Sequence, residues 1–155
     1  MILTFLVASY TKGGVLFSRF FGPNLATEAQ QATWLERIRH ATASEWALLA
    51  SDYPEQVALV DECTIVTKLV GDVVVLVAGN REHDALLILE FLRAFETVFR
   101  KVCKVPATKP VSAERRVLES YWNLCLIVDE MIDEGAIDHL DCALIEKQIA
   151  MKPNK

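Results

Sequence analysis

The chain predicts a mixed α/β fold of the α+β kind: a five-stranded antiparallel sheet with helices on both faces, in the order β-β-α-β-β-β-α-α-α. Three observations predict it. Apolar runs of strand length open the chain and recur between residues 57 and 78, separated by turn residues. A helical stripe follows, in which Ile88, Phe91, Leu92, Phe95, Val98, Phe99 and Val102 share one face. Strand-like and helical segments are grouped rather than alternating, and the layer rules then place helices against the faces of an antiparallel sheet.

Residues 2–9 are nearly continuously apolar, as an interior strand is. Gly13-Gly14 marks a hairpin turn, and residues 15–21 continue the strand pattern until Gly22-Pro23-Asn24 stops it. Residues 26 to about 43 read as a helix with Trp34, Ile38 and Ala41 on one face, capped by Thr27 or Asn24. Residues 44–55 are ambiguous: Glu45–Leu49 suits a short helical turn, and Asp52-Tyr53-Pro54 is loop chemistry. Residues 57–61 suggest an edge strand and residues 63–69 alternate with period two. Val70-Gly71-Asp72 turns the chain into VVVLVA at 73–78, the most buried strand. Asn80 is expected to cap the second long helix, with Glu82 and Asp84 in its first turn. The prolines in residues 105–111 make that stretch a loop. Ser112 caps a third helix running to the acidic stretch before Gly135, and a short last helix ends before Pro153. Residues 1–152 are expected to form one domain, with residues 153–155 frayed.

Of the 155 residues, 52% are hydrophobic and 24% charged, as in a folded soluble protein. A net charge of −5, with no stripe of Lys and Arg, argues against nucleic acid and against direct binding to anionic lipid. Cys63, Cys103, Cys125 and Cys142 are far apart, with no CxxC and no His at ligand spacing. That argues against zinc and for free thiols in a reducing compartment. The apolar opening MILTFLVAS is too short to span a bilayer and lacks a basic leader. The expected location is the cytoplasm, with any membrane association indirect.

Residues suited to catalysis do not converge. His40, His83 and His139 lie in polar contexts, and Gly13-Gly14 lacks the Lys and Ser/Thr of a phosphate loop. Asp129 and Glu130 are adjacent on a helix and diverge by about 100°. Cys63 has no cationic activator beside it in sequence. The expectation is a non-enzymatic protein with no catalytic residue, metal, cofactor or small-molecule substrate.

Two groups of residues point instead to a protein partner. Phe20 and Phe21 beside Gly22-Pro23, and Trp46 with Leu48-Leu49, add apolar area outside the regular elements. They either close the core or pack on a larger protein. The stretch LCLIVDEMIDEG, read as a helix, puts Leu124, Val128, Met131 and Ile132 on one face and Asp129, Glu130, Asp133 and Glu134 on the other, with Gly135 at its end. Acids oppose the negative end of a helix dipole. They form either a solvated face, at about 1 kcal/mol or less, or a face that meets basic groups on a partner.

VDEM followed by an acidic or apolar pair and Gly resembles the small (σ) subunits of clathrin adaptor complexes and the coatomer ζ subunit. The apolar opening strand with Gly-Gly, the hairpin from Val66 to Asn80 and the VFRKVC helix end recur in the order of that family. LVGDVVVLVAGNREHD, the VCK-x-P turn, LCLIVDEMIDEG and the terminal IAMKP resemble most the longin-like small subunit type of the TPLATE (TSET) complex. The resemblance implies a longin-type fold and a scaffolding role against a large adaptin-like helical solenoid. For the TPLATE type it also implies clathrin-mediated endocytosis at the plasma membrane; for coatomer ζ or σ it implies Golgi or endosomal vesicles. A longin-type tethering module is a further alternative. In σ subunits a pocket near the end of the second long helix receives acidic dileucine signals, and Leu92 and Val102 stand at matching positions here. Lys101 and Lys104 depart from that motif, and the loop that follows is longer.

Overall fold

β5 (Val73–Gly79) is buried along its whole length, and the sheet is built outward from it. A computed structural model describes residues 1–49, 54–81, 83–107 and 111–152. Around β5 lie β1 (Ile2–Ser9), β2 (Val15–Phe20), β3 (Glu55–Val60) and β4 (Cys63–Val70). The spatial order is β2-β1-β5-β4-β3, and every neighbouring pair is antiparallel. This is the five-stranded antiparallel sheet expected, with β3 at an edge.

Period-two alternation sends the side chains of β1 to two cores. Leu6 faces α1 (Glu28–Leu49), where it meets Trp34, Ile38, Ile65 and Leu76. Phe5 and Val7 face the opposite side, covered by α2 (Ala85–Val102), α3 (Ala113–Glu119), α4 (Tyr121–Met131) and α5 (Cys142–Ala150). Phe5 is the hub there, with edge-on contacts to Phe17, Phe91 and Phe95 at centroid distances of 5.9, 6.2 and 4.9 Å. On the α1 side, the buried indole N–H of Trp34 donates to the Thr4 hydroxyl at 2.8 Å.

The turn between β4 and β5 explains the Gly71-Asp72 pair. Gly71 adopts φ 62°, and the Asp72 carboxylate accepts from the Ser112 hydroxyl at 2.8 Å and from the Glu114 N–H at 2.9 Å. The sheet thereby caps the start of α3, alongside the expected Ser112 cap, whose hydroxyl accepts from the Arg115 N–H at 3.2 Å. At the other edge, the Lys68 ammonium of β4 reaches Glu55 of β3 at 3.0 Å and Glu96 of α2 at 3.2 Å.

Several local expectations are corrected. α1 continues to Leu49, taking in the ambiguous 45–49 stretch, while residues 50–53 lie outside the described residues. Its buried stripe passes through Thr42, a polar residue that hides the helical period; the hydroxyl donates to the Ile38 carbonyl at 2.8 Å. The cap of α2 is Asp84, whose carboxylate accepts from the Leu87 N–H at 2.9 Å. Asn80, the expected cap, accepts instead from the Met1 ammonium at 2.8 Å. Glu82 lies outside the described residues, as do residues 153–155, whose expected fraying belongs there.

The third helix divides at Ser120 into α3 and α4, and α4 stops at Met131. Ile132–Asp133 (β6) then pairs with Ala136–Ile137 (β7) around a tight turn in which Glu134 and Gly135 both have positive φ, 46° and 87°. Asp133 and Glu134 are therefore on a hairpin, not on a helix face. The reason is tertiary: the hairpin brings the Gly135 carbonyl to the Ile2 N–H at 2.6 Å, tying this segment to the start of β1.

Candidate partner interface

Most of the LCLIVDEMIDEG stretch serves the fold. Leu124, Val128, Met131 and Ile132 are buried in the core beneath α2 and α5. Gly135 has no room for a side chain: a Cβ there would lie 2.7 Å from Met1 Cγ and 2.9 Å from the Ile2 carbonyl oxygen. Glu130 is turned inward to Lys152, at 2.8 Å, with His139 Nε2 at 3.9 Å, so it joins the end of α4 to the segment after α5. That leaves Asp129, Asp133 and Glu134 exposed. Only Asp129 and Glu130 stand in the last turn of α4, which carries no basic residue, so the dipole argument applies to those two alone.

The aromatic candidates separate across the sheet. Phe20, at the end of β2, is half-buried against the core under α1, and the next residue, Phe21, against the opposite core. Trp46 is half-buried in the last turns of α1 and lines a small gap with Leu6 and Leu76. Its indole N–H has no acceptor among the described residues. Phe20 and Phe21 thus contribute to closing the core. Leu92 is 1% exposed within the α2-side core, and Val102 is half-buried against the same cluster.

Other apolar surface is more open. Leu118, Tyr121 and Trp122 straddle the α3–α4 junction, all exposed, with Tyr121 5.4 Å from the Phe17 ring. A cleft of ≈ 700 Å³ opens between the start of β1, the 3-10 turn Pro23–Leu25 and α1, lined by Leu3, Phe21, Leu25 and Trp34 with Arg37 and Asp61 at its mouth. Arg37 and Asp61 pair with each other, so the cleft offers shape and apolar surface rather than charge. Its only signal in the sequence was the Phe-Phe-Gly-Pro break. The exposed Leu118 could not be told from a core residue by period.

Burial pushes the Cys103 thiol up to about 12, and also raises Cys63 and Cys142. It keeps these three groups in the unreactive thiol form at neutral pH. Among the described residues no group of three or more His, Cys, Asp or Glu is placed to hold a metal ion. No described helix is long and apolar enough to cross a membrane.

No family model matches the chain, and no curated protein is similar enough in sequence to match it. Its fold is nevertheless shared. A chain of a homology model of the full-length AP-3 complex in a stretched open conformation superposes with a TM-score of 0.62, covering 97% of this chain and 92% of that one, at 13% identity. The likeness is one of fold over nearly the whole of both chains, and the five-stranded antiparallel sheet with its flanking helices is the longin-like architecture expected.

Proposed function

We propose that this protein is a non-enzymatic small subunit of a vesicle-coat adaptor complex. The observation that carries the reading is the end-to-end likeness of fold to a chain of the AP-3 assembly. The VDEM-to-Gly135 segment supports it, because its residues lock the last helices onto the start of the sheet. The partner is a large adaptin-like helical solenoid, and membrane association comes through the assembly. The motifs favour the TPLATE (TSET) branch, and with it clathrin-coated pits at the plasma membrane. Phe20, Phe21, Trp46, Asp129, Glu130, Asp133 and Glu134 are the candidate interface residues. Asp129, Asp133 and Glu134 lead them, since they are exposed and meet no ion-pair partner among the described residues. Leu92 and Val102 remain candidates for a cargo pocket only if partner binding opens the end of α2.

Imaging a fluorescently tagged copy in its native cells tests the branch. Recruitment to clathrin-positive spots at the plasma membrane is the expected result. Accumulation on Golgi or endosomal vesicles would move the protein to the coatomer or σ branch, and diffuse signal unaffected by blocking coat assembly would remove the coat reading altogether.

A further inference from the structure

The two edges of the sheet are finished differently. β2 carries devices that protect an edge: a register shift against β1 between Val7 and Ala8, Arg19 over the Phe17 ring at 4.6 Å, and the Gly22-Pro23 stop. β3 is finished less fully: Pro54 and Glu55 stand at its start, but it pairs with β4 in unbroken register, and residues 56–60 contain no charge and no proline. The hairpin turn is the two residues Asp61 and Glu62, both left-handed, so Val60 and Cys63 form the hydrogen-bonded pair that closes it. The bond from the Leu69 N–H to the Pro54 carbonyl, at 2.9 Å, keeps the same alternation to the far end of the strand. Val60, Ala58 and Gln56 therefore direct their main-chain groups to β4. Val57 and Leu59 direct both N–H and C=O outward, where they meet no partner among the described residues. Their side chains are 45% and 77% exposed, on the α2 side of the sheet.

We propose that this edge is a self-pairing site, at which two copies of the chain join β3 to β3 antiparallel about a two-fold axis at Ala58. In that register Val57 of each copy lies opposite Leu59 of the other. The two outward N–H and C=O pairs of each copy are satisfied by those of the second. Val57 and Leu59 become cross-strand neighbours and leave water together. Ala58, at the axis, is small enough for the close approach of a non-hydrogen-bonded pair. The charges permit it. Antiparallel pairing sets the Glu55 end of one copy beside the Asp61-Glu62 end of the other. Each of these acids already has an arginine of its own copy: Arg93 on Glu55, Arg37 on Asp61 and Arg81 on Glu62. A two-fold axis at Val57 would instead oppose Glu55 to Leu59. The contact is closed, because each copy has one such edge and β2 does not offer a second.

Sedimentation velocity of the purified full chain tests this from about 1 to about 500 μM, where a small interface of this kind dissociates. The expected result is a reversible monomer–dimer equilibrium that Leu59→Lys weakens at least about tenfold, with unchanged circular dichroism and melting. Ala58→Cys should form a disulfide-linked dimer on mild oxidation, mapped to residue 58 in both copies. Across a non-hydrogen-bonded pair the Cα atoms lie about 4.5 Å apart, within disulfide reach. Gln56→Cys should not link to itself. A monomer at every concentration, a dimer indifferent to Leu59→Lys, a linkage mapping to the native cysteines alone, or open-ended oligomers would each overturn the proposal.

Discussion

Gly135→Ala should destabilise the protein by about 1.5–3.5 kcal/mol, and Gly13→Ala by only about 1–2, although both glycines have positive φ. Gly13 has φ 76° with nothing within 4 Å of a built Cβ, so alanine there meets only left-handed backbone strain, about 1–2 kcal/mol. Gly135 has φ 87° and the same strain, but its Cβ would also stand 2.9 Å from the Ile2 carbonyl oxygen and 2.7 Å from Met1 Cγ. The Met1 side chain borders the cleft and can turn toward it, whereas the main chain of Ile2 is held in β1 against β5. Relief requires the hairpin and β1 to part, lengthening the 2.6 Å bond from the Ile2 N–H to the Gly135 carbonyl, a loss of about 0.5–1.5 kcal/mol. Urea unfolding of the two variants beside the parent, compared at equal m, measures both numbers. Equal losses in the two variants would refute the claim that this glycine is required by close approach to β1 rather than by its turn alone.

Phe95→Ala should cost about 3–5 kcal/mol in the same assay, because Phe95 is fully buried, edge-on to Phe5 at 4.9 Å and stacked on Phe99 at 5.5 Å; a loss under about 1 kcal/mol would mean that the ring does not face the core. Asp133→Asn with Glu134→Gln should leave melting unchanged, since both are exposed on the hairpin, yet weaken assembly with the large partner, more so at low salt; unchanged binding at two ionic strengths would reduce these acids to solvated surface. Hydrogen bonding from Arg93 holds the Glu55 carboxyl below the ordinary Glu value, so its stabilisation is fully present above the unfolded pKa near ~4.3 and is lost as pH falls through the folded pKa. The stability gap between the parent and Glu55→Gln should therefore be flat from about pH 7 to 5 and narrow below about 4.3. Burial raises the Glu45 carboxyl, an effect of opposite sign that is common to both proteins and cancels. A gap that widens on acidification would contradict the assignment.

The sheet was legible because its strands obey simple periods. VVVLVA is buried on both sides and became the centre, and the Ile88-to-Phe99 stripe on α2 followed 3.6-residue spacing without a polar interruption. Legibility failed where a polar residue or a distant contact decided the outcome. Thr42 sits in the buried stripe of α1 and satisfies itself on the preceding turn, which concealed the last two turns of that helix. Asn80 lost the cap of α2 to Asp84 because its side chain is engaged with Met1, 79 positions away in sequence. Asp133 and Glu134 have helix-compatible neighbours, but the reach of Gly135 to Ile2 turns them into a hairpin. Of the interface candidates, the sequence identified the acidic residues but not that Glu130 is held by Lys152. The outward main chain of Val57 and Leu59 depends on the parity set by the Asp61-Glu62 turn, which hydropathy does not encode.

The central claim is that this chain is built to sit against a large adaptin-like solenoid. Purifying a tagged copy from its native cells and weighing the intact assembly by native mass spectrometry tests it most directly. The account predicts this chain bound in stoichiometric amount to a large helical-repeat subunit, with further coat subunits attached. Recovery of the chain alone, or with only a second copy of itself, would contradict it.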